Sequence, residues 1–582
     1  MGGKRDADRG ERSAGHGGPG GDPLVRALRF LGLSRRPLLW SLLLGVGGAL
    51  SALGLAALSA WLITRAWQQP PILYLSVAIT AVRALGISRG VLRYLERLAT
   101  HDLALRAMAN ARERLYRVLA QGDPGYSVGL KRGALLSRTG DDIDEIGNAL
   151  IRGIIPIGVG AVTGIAAVVV MSLVSFWAAG VLLVALVVSG GVAPWLAARG
   201  SARSIADSAA ATAASADAAT TLLWHAPELV VAGRRDVVLA AAARADHDAM
   251  RAADRGFARQ AAAAAATPLA LGVSLLAACL IGIDLASGVS GSLAGVSSTS
   301  GELTPMVLGV LILLPLSAFE STAPLTEAGL QLERSRQSAA RVMALVDGAG
   351  ADEGASDRTT DVTVCPGPIT VVCDRLDWGR RGGRALGPPG GLSLELSPRS
   401  PMVITGPSGS GKSTLLMTLA GIIPPLGGTV SARTESGDEV DLRSATCYFA
   451  EEGHIFATSV RENLLVARGD ATTTELESAL AAVGLAEWAG NLPEGLDTVL
   501  DGGSESVSGG QRRRLLLARA LIHPAPVVLL DEPVEHLDAR DADTMLRALI
   551  DPVGMFGPDR SVVVVTHHLP EGMTADLTLG PL

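Results

Sequence analysis

Apolar positions are not spread evenly along the chain. They gather in six runs, roughly 38–65, 71–98, 147–174, 177–198, 261–286 and 304–328. Each run approaches or exceeds the ~20 residues a helix needs to cross hydrocarbon. The first three are long enough to project beyond the bilayer. Two segments between them, 99–145 and 199–260, are rich in Ala, Leu and Arg and read as long helical loops. The loops at the opposite ends, near 66–70, 175–176 and 287–303, are shorter. Residues 1–23 are rich in Gly, Arg and Asp without apolar periodicity, and are expected to be disordered. A Gly- and Asp-rich stretch, 347–361, reads as a linker. Beyond it the pattern changes to short apolar runs such as 401–405, 527–531 and 561–565, the signature of buried strands.

Arginine counting orients the six runs. Arg26, Arg29, Arg35 and Arg36 precede the first, and both long loops carry many more, whereas the short loops carry almost none. The N-terminus, both long loops and the C-terminal domain are therefore expected on the cytoplasmic side of the cytoplasmic membrane. No signal-peptide pattern precedes the first full-length span.

Composition agrees with a membrane-embedded chain. Of its 582 residues, 48% are hydrophobic, and the mean hydropathy is +0.35. A net charge of −7 provides no nucleic-acid footprint. Cys279, Cys365, Cys373 and Cys447 have neither metal-ligand spacing nor a disulfide framework. Lysine occurs only at positions 4, 131 and 412, with arginine used elsewhere, so the chemistry of position 412 calls for lysine.

That lysine lies in Gly406-Pro-Ser-Gly-Ser-Gly-Lys412-Ser413, which fits the P-loop pattern G-x-x-x-x-G-K-[ST]. Gly406, Ser408, Gly409, Ser410 and Gly411 would cradle phosphate oxygens with backbone N–H groups at a helix N-terminus. Lys412 would reach the β- and γ-phosphates of ATP, Ser413 would hold Mg²⁺, and Thr414 continues the first helical turn. Downstream, Asp531 ends the run Val527-Val-Leu-Leu and is placed to bind Mg²⁺. Glu532 beside it is placed to polarise the attacking water. His567 follows the strand 561–565 and is placed near the γ-phosphate. A P-loop domain that does not hydrolyse is the alternative.

Between these motifs stands Ser508-Gly509-Gly510-Gln511, far more specific than a lone P-loop. With it the chain resembles the ABC transporters. The fold class is then a membrane domain of six transmembrane helices, of ABC exporter type, over 24–346, followed by an α/β P-loop ABC ATPase over 362–582. The resemblance implies further roles. Trp378, a little under thirty residues before Gly406, falls where the adenine-stacking aromatic belongs; a packed core tryptophan is the alternative. The family glutamine that binds Mg²⁺ falls on Glu451, a carboxylate that can ligate but not donate a hydrogen bond. Glu535-His-Leu-Asp538 matches the D-loop. One membrane set and one ATPase make a half-transporter, so a second half is required, and Val507–Gln511 would complete the partner's nucleotide site.

In span two and its extension, Arg89, Arg93, Arg97 and His101 recur every four residues, on one drifting helix face. Guanidiniums at membrane depth face water, a partner or a ligand. Two readings stand: arginines that snorkel and pair with Glu96 and Asp102, or an anionic-ligand site with His101 as a metal or haem-iron ligand. Arg93-Tyr-Leu-Glu-Arg97-Leu-Ala-Thr-His101-Asp102 resembles the R-Y-x-E-R-L-x-x-H-D segment of the CydC family of half-transporters. Leu58-Ser-Ala-Trp61, and Gly133-Ala-Leu-Leu-Ser-Arg138 with Asp142 and Asp144, agree. The resemblance covers nearly all the chain after residue 23. It implies a heterodimer with a CydD-like half in the lipid bilayer, export of cysteine or glutathione, and support of cytochrome bd assembly. It also implies haem b as a possible ligand or substrate, with Arg97 and His101, and Arg93 beside them, as its contacts. The competing readings are a multidrug or lipid exporter half, and a regulatory haem-binding subunit with weak ATPase activity.

Glu320 is the one carboxylate well inside span six. It lies about 24 Å from the outer end at 1.5 Å per residue, and Arg89 lies about 27 Å deep in span two. A pair with Arg89, or failing that Arg83, is one expectation; a protonated acid bonded to a backbone carbonyl or to Ser321 is the other.

Overall fold

The computed structural model of the chain describes residues 21–122, 126, 132–287, 305–350, 365, 367–380, 383–451, 453–567 and 569–580. It divides into two compact units, the first holding nearly all of the chain up to residue 352 and the second the rest. The expected disordered tail lies outside the described residues up to residue 20. At its end a helix, Pro23–Phe30, already begins, because Asp22 accepts from the Leu24 N–H and proline suits the first turn. Most of the expected linker, and Lys131, also lie outside.

Among the described residues, six helical segments of the first unit are long and apolar enough to cross a membrane: Arg35–Ala66, Leu73–Gln121, Ser137–Ser172, Phe176–Gly200, Arg235–Asp284 and Leu308–Gly348. The second belongs to one continuous helix of 50 residues, Ile72–Gln121, so the first long loop starts as an extension of its span. Helices Ala193–Trp224 and Arg235–Ser287 extend spans four and five in the same way.

The expected continuous run 304–328 does not hold as one helix. A helix ends at Glu320, residues 321–324 turn, and a second helix starts at Leu325. Pro324 explains the break: it lacks an N–H and disfavours helical backbone at the residue before it. Spans three and four contain single π-helical turns, Ala149–Ile154 and Val188–Val192. The second carries Ser189, whose hydroxyl shares hydrogen bonds with Thr267 at 2.9 Å and Thr322 at 3.1 Å. That buried hydroxyl ties spans four and five to the break in span six. Beyond the break, helix Leu325–Gly348 is pinned by Arg341, whose Nε donates to the buried Asp142 carboxylate at 2.9 Å.

The second unit holds nine strands among the described residues. They are β1 (Ile369–Asp377), β2 (Leu392–Leu396), β3 (Pro401–Thr405), β4 (Gly427–Thr434), β5 (Glu439–Val440), β6 (Thr446–Phe449), β7 (Val527–Asp531), β8 (Ser561–Val565) and β9 (Leu577–Thr578). An antiparallel sheet has the order β2-β1-β4-β5, and a parallel one the order β6-β7-β8-β3-β9. Every residue of β7 and β8 is buried, which accounts for their unbroken apolar sequence. The carboxyl ends of β3, β7 and β8 therefore converge, where ligands of open parallel sheets bind.

Candidate functional site: a phosphate loop with a buried acid pair

The loop from Gly406 joins β3 to the helix Lys412–Leu419. Gly409 and Gly411 have φ of +82° and +86°, where a side chain would be strained, so the glycine spacing follows from the turn itself. Ser408 sits in the same turn, and the Thr414 carbonyl accepts from Thr418 one turn into the helix. Lys412 is buried, and its Nζ donates to the carbonyls of Gly406 at 2.9 Å and Pro407 at 3.2 Å. The ammonium thus folds back over its own loop, 4.0 Å from Glu532 Oε1. The buried Ser410 hydroxyl has no partner among the described residues.

Asp531 ends β7 and is fully buried. Its Oδ2 accepts from the Tyr448 hydroxyl at 3.2 Å, and its Oδ1 is unpartnered among the described residues. Burial pushes the Asp531 carboxyl above its ordinary value, and hydrogen bonds from Ser413 and Tyr448 oppose that. An orphaned buried carboxylate oxygen next to a serine hydroxyl is a hard-oxygen donor set that fits Mg²⁺. Glu532 follows in left-handed backbone, φ +48°. Its Oε2 lies 2.9 Å from His567 Nδ1 and accepts from the His567 backbone N–H at 3.3 Å. Burial raises the Glu532 carboxyl as well, with the imidazole and Lys412 opposing it.

Arg513 is the residue that sequence reasoning missed. It is buried on the helix Gly509–Ile522. Its guanidinium donates to the carbonyls of Glu451, Asp531 and Glu532, with Nε and one Nη at 3.0 Å from Glu532 and Asp531. It also covers the Phe449 ring at 4.9 Å and lies 3.9 Å from Glu535. In sequence it is the middle of three successive arginines and reads as a solvated helix face; the only signal was its position two residues after Gln511. Glu451 is exposed, and its carboxyl is raised by desolvation and by Glu535, Asp531 and Glu532, with Arg513 opposing.

Ser508 caps that helix. Its Oγ accepts from the Gln511 N–H at 3.2 Å, while Gln511 Oε1 accepts from the Ser508 N–H at 2.9 Å. Gly509 and Gly510 face His536 and Leu537 at ordinary van der Waals distance for an added Cβ, so the two segments adjoin and leave room for a small side chain. Asp538 caps the next helix, Ala539–Ile550, accepting from Asp541 N at 2.9 Å.

The adenine-stacking expectation for Trp378 needs correcting. The ring is completely buried in the core beside β1, and its Nε1 donates to the Gly411 carbonyl at 3.0 Å. Its faces are taken by packing, so in this conformation it buttresses the phosphate loop from behind and offers no platform for adenine.

In the first unit, Arg89 pairs with Glu320, as the depth argument expected, and Arg93 Nη1 lies 3.9 Å from the same carboxylate. Arg97 and His101 are exposed further along the helix, without an ion pair or hydrogen bond among the described residues. Asp102 pairs with Arg106 and Glu96 accepts from Thr100, so the expected pairing of those acids with the arginine stripe does not form. No group of three His, Cys, Asp or Glu able to hold a metal ion occurs among the described residues.

Comparison with known proteins supports the nucleotide reading. Residues 390–535 match the ABC transporter family. The chain is 29% identical to the glutathione/L-cysteine transport system ATP-binding/permease protein CydC of Escherichia coli (strain K12), over 93% of this chain and 92% of that one. It is 27% identical to the corresponding CydD of Bacillus subtilis (strain 168), over 92% and 90%. The mycobactin import protein IrtB of Mycolicibacterium smegmatis is 35% identical, over 32% of each chain. The structure of a bacterial Atm1-family ABC exporter with ATP bound superposes with a TM-score of 0.72 at 18% identity, covering 94% of this chain and 93% of that one. Over nearly its whole length the chain resembles ABC-type half-transporters, CydC and CydD among them. It is a multi-pass membrane protein with ABC exporter architecture, and its C-terminal domain is an ATP hydrolase coupled to transmembrane transport.

Proposed function

We propose that this half-transporter pairs with a homologous, CydD-like half and uses ATP to move a small thiol, cysteine or glutathione, out across the cytoplasmic membrane in support of cytochrome bd assembly. The likeness to CydC over 93% of the chain carries this reading. The arginine asymmetry of the loops puts the N-terminus and the ATPase domain, residues 362–582, in the cytoplasm.

The residues divide the work as follows. Gly406, Ser408, Gly409, Ser410, Gly411 and Thr414 present the loop and helix N-terminus to the phosphates. Lys412 exchanges the carbonyls of Gly406 and Pro407 for phosphate oxygens. Ser413 and Asp531, with Glu451 nearby, hold Mg²⁺, which supplies charge neutralisation at the β- and γ-phosphates. Glu532 orients and deprotonates the attacking water, and His567 fixes the Glu532 carboxylate through Nδ1. Ser508, Gly509, Gly510 and Gln511, with Asp538, complete the partner's site rather than their own.

Inside-out vesicles containing both halves should accumulate labelled cysteine or glutathione only with hydrolysable ATP. Absence of uptake, with ATPase activity intact, refutes the thiol reading. A second reading, haem as ligand or cargo, is favoured by the exposed Arg97 and His101 on the span-two extension, with Arg93 one turn before. A Soret band from the purified complex that His101→Ala abolishes would support it; an unchanged band would remove His101 as ligand.

A further inference from the structure

Spans one, two, three and six enclose a cavity of about 190 Å³. Four small residues of span one, Gly45, Gly48, Ala49 and Ala52, leave the room. That is below the roughly 300–1,000 Å³ of drug-sized sites, so the occupant is small. The wall is unusually charged for membrane depth: Arg89, Arg93, Glu96 and Glu320 all contribute. Two cations and two anions leave the cavity neutral but strongly bipolar. Glu320 is shared between Arg89 and, at 3.9 Å, Arg93. The Arg93 side chain is 74% exposed, so its guanidinium has donors to spare.

The break in span six gives the anionic side its second feature. Glu320 is the last residue of its helix, so the carboxylate stands at the helix C-terminus, where the turn that follows takes up the Ala318 and Phe319 carbonyls. A helix C-terminus carries partial negative charge and favours a cation. Broken membrane helices that bring a helix end into a cavity are a recurrent way of holding charged solutes. The guanidiniums therefore favour a carboxylate, and the adjoining Glu320 carboxylate at the helix end favours an ammonium. Among the described residues, no cysteine, methionine, histidine or aromatic ring lines the cavity, so none of them there reads sulfur.

We propose that this cavity binds a small zwitterion by its α-amino-acid head group. The ligand carboxylate takes the guanidiniums of Arg93 and Arg89, and its ammonium takes the Glu320 carboxylate at the end of the span-six helix. Selection rests on the two head-group charges, not on the thiol. The inference rests on the transport reading only in requiring that the assembled pair moves a solute.

The test is equilibrium binding of four labelled compounds to the complete complex in nanodiscs: L-cysteine, L-serine, cysteamine and 3-mercaptopropionate. Both amino acids should bind alike. Cysteamine, without the carboxylate, and 3-mercaptopropionate, without the ammonium, should bind at least about tenfold more weakly. Glu320→Gln should weaken the amino acids yet spare 3-mercaptopropionate, and Arg93→Gln should weaken every carboxylate-bearing compound. Arg93→Gln keeps the Arg89–Glu320 pair and so guards against loss of folding. Binding that follows the thiol across all four compounds, or that neither variant alters, overturns the proposal. No binding by either amino acid overturns it as well. Thiol transport that persists with unaltered selectivity in both variants would leave the exporter reading standing and remove only this site.

Discussion

Glu532 carries two constraints at once: left-handed backbone at φ +48°, and a carboxylate held by both the ring and the backbone of His567. A non-glycine residue in that region costs about 1–2 kcal/mol, so the surroundings must enforce it. Arg513 is the enforcing group, because its guanidinium fastens the Glu532 carbonyl from inside the core. Two variants separate the roles. Glu532→Gln removes the base and should cut ATP turnover by about 10²–10⁴-fold while ATP still binds, read by nucleotide occlusion. Arg513→Met strands the buried carbonyls of Asp531 and Glu532 at about 1–3 kcal/mol each and frees that of Glu451. It should lower the melting temperature of the ATPase domain and reduce kcat more than it changes KM for ATP. The same acids set a pH dependence. Burial raises the carboxyls of Glu451, Asp531 and Glu532, and at Glu451 repulsion from Glu535, Asp531 and Glu532 adds to it. The folded state therefore holds protons that the unfolded state has released, and stability falls as pH rises through the ordinary glutamate value of 4.5 towards the raised ones. A urea titration of the nucleotide-free protein should show this decline, and Glu451→Gln should shallow it.

At the scale of elements, much was legible because hydropathy and length speak directly for single helices and strands. The six spans and the buried strands β3, β7 and β8 appear as unbroken apolar runs. The break at Glu320–Pro324 was hidden because an apolar window averages through a four-residue turn, and Pro324 by itself is tolerated in membrane helices. The π turns were hidden too, since they alter hydrogen bonding without altering composition. Arg513 was not singled out, and the two readings of Trp378 stayed open, for a related reason: whether a side chain faces the core depends on which elements lie across from it, and strand order is not written in local spacing. Helix crossings are equally invisible from spacing. Where helix Leu325–Gly348 meets Ala193–Trp224, a Cβ on Gly329 would stand 2.6 Å from the Pro194 carbonyl oxygen. Gly272, in the span-five helix, has nothing within 4 Å of the corresponding point. Gly329→Ala should therefore lower the yield and melting temperature of the membrane domain. Gly272→Ala should leave both unchanged or raise them, by up to about 1 kcal/mol of helix propensity, as read by fluorescence-detected size exclusion after heating.

At the scale of the whole molecule, the nucleotide site and the signature segment point to incompleteness. The Ser508 hydroxyl and the Gln511 side chain are engaged with each other at the start of their own helix. Nothing in that capping box serves the phosphate loop at Gly406–Ser413, and the helix N-terminus it forms remains available to an anion from elsewhere. The given sequence contains one phosphate loop and one such segment, and under the proposed function a homologous half supplies the complement to each. The site's own departure bears on which chain that is. Glu451 adds a negative charge to a cluster that already holds Asp531, Glu532 and Glu535, and Arg513 is the cation that opposes it at Glu451 itself. Two copies of this chain would place that acid excess at both composite sites. A heterologous partner carrying glutamine at the corresponding position would leave one site without it. We therefore expect the purified chain alone to hydrolyse ATP slowly or not at all, and co-expression with a homologous half to raise the rate severalfold. Mixing either Lys412→Ala or Glu532→Gln in this chain with the wild-type partner should then leave a residual rate that reports the partner's own site. A homodimer of this chain with full activity would refute the heterodimer.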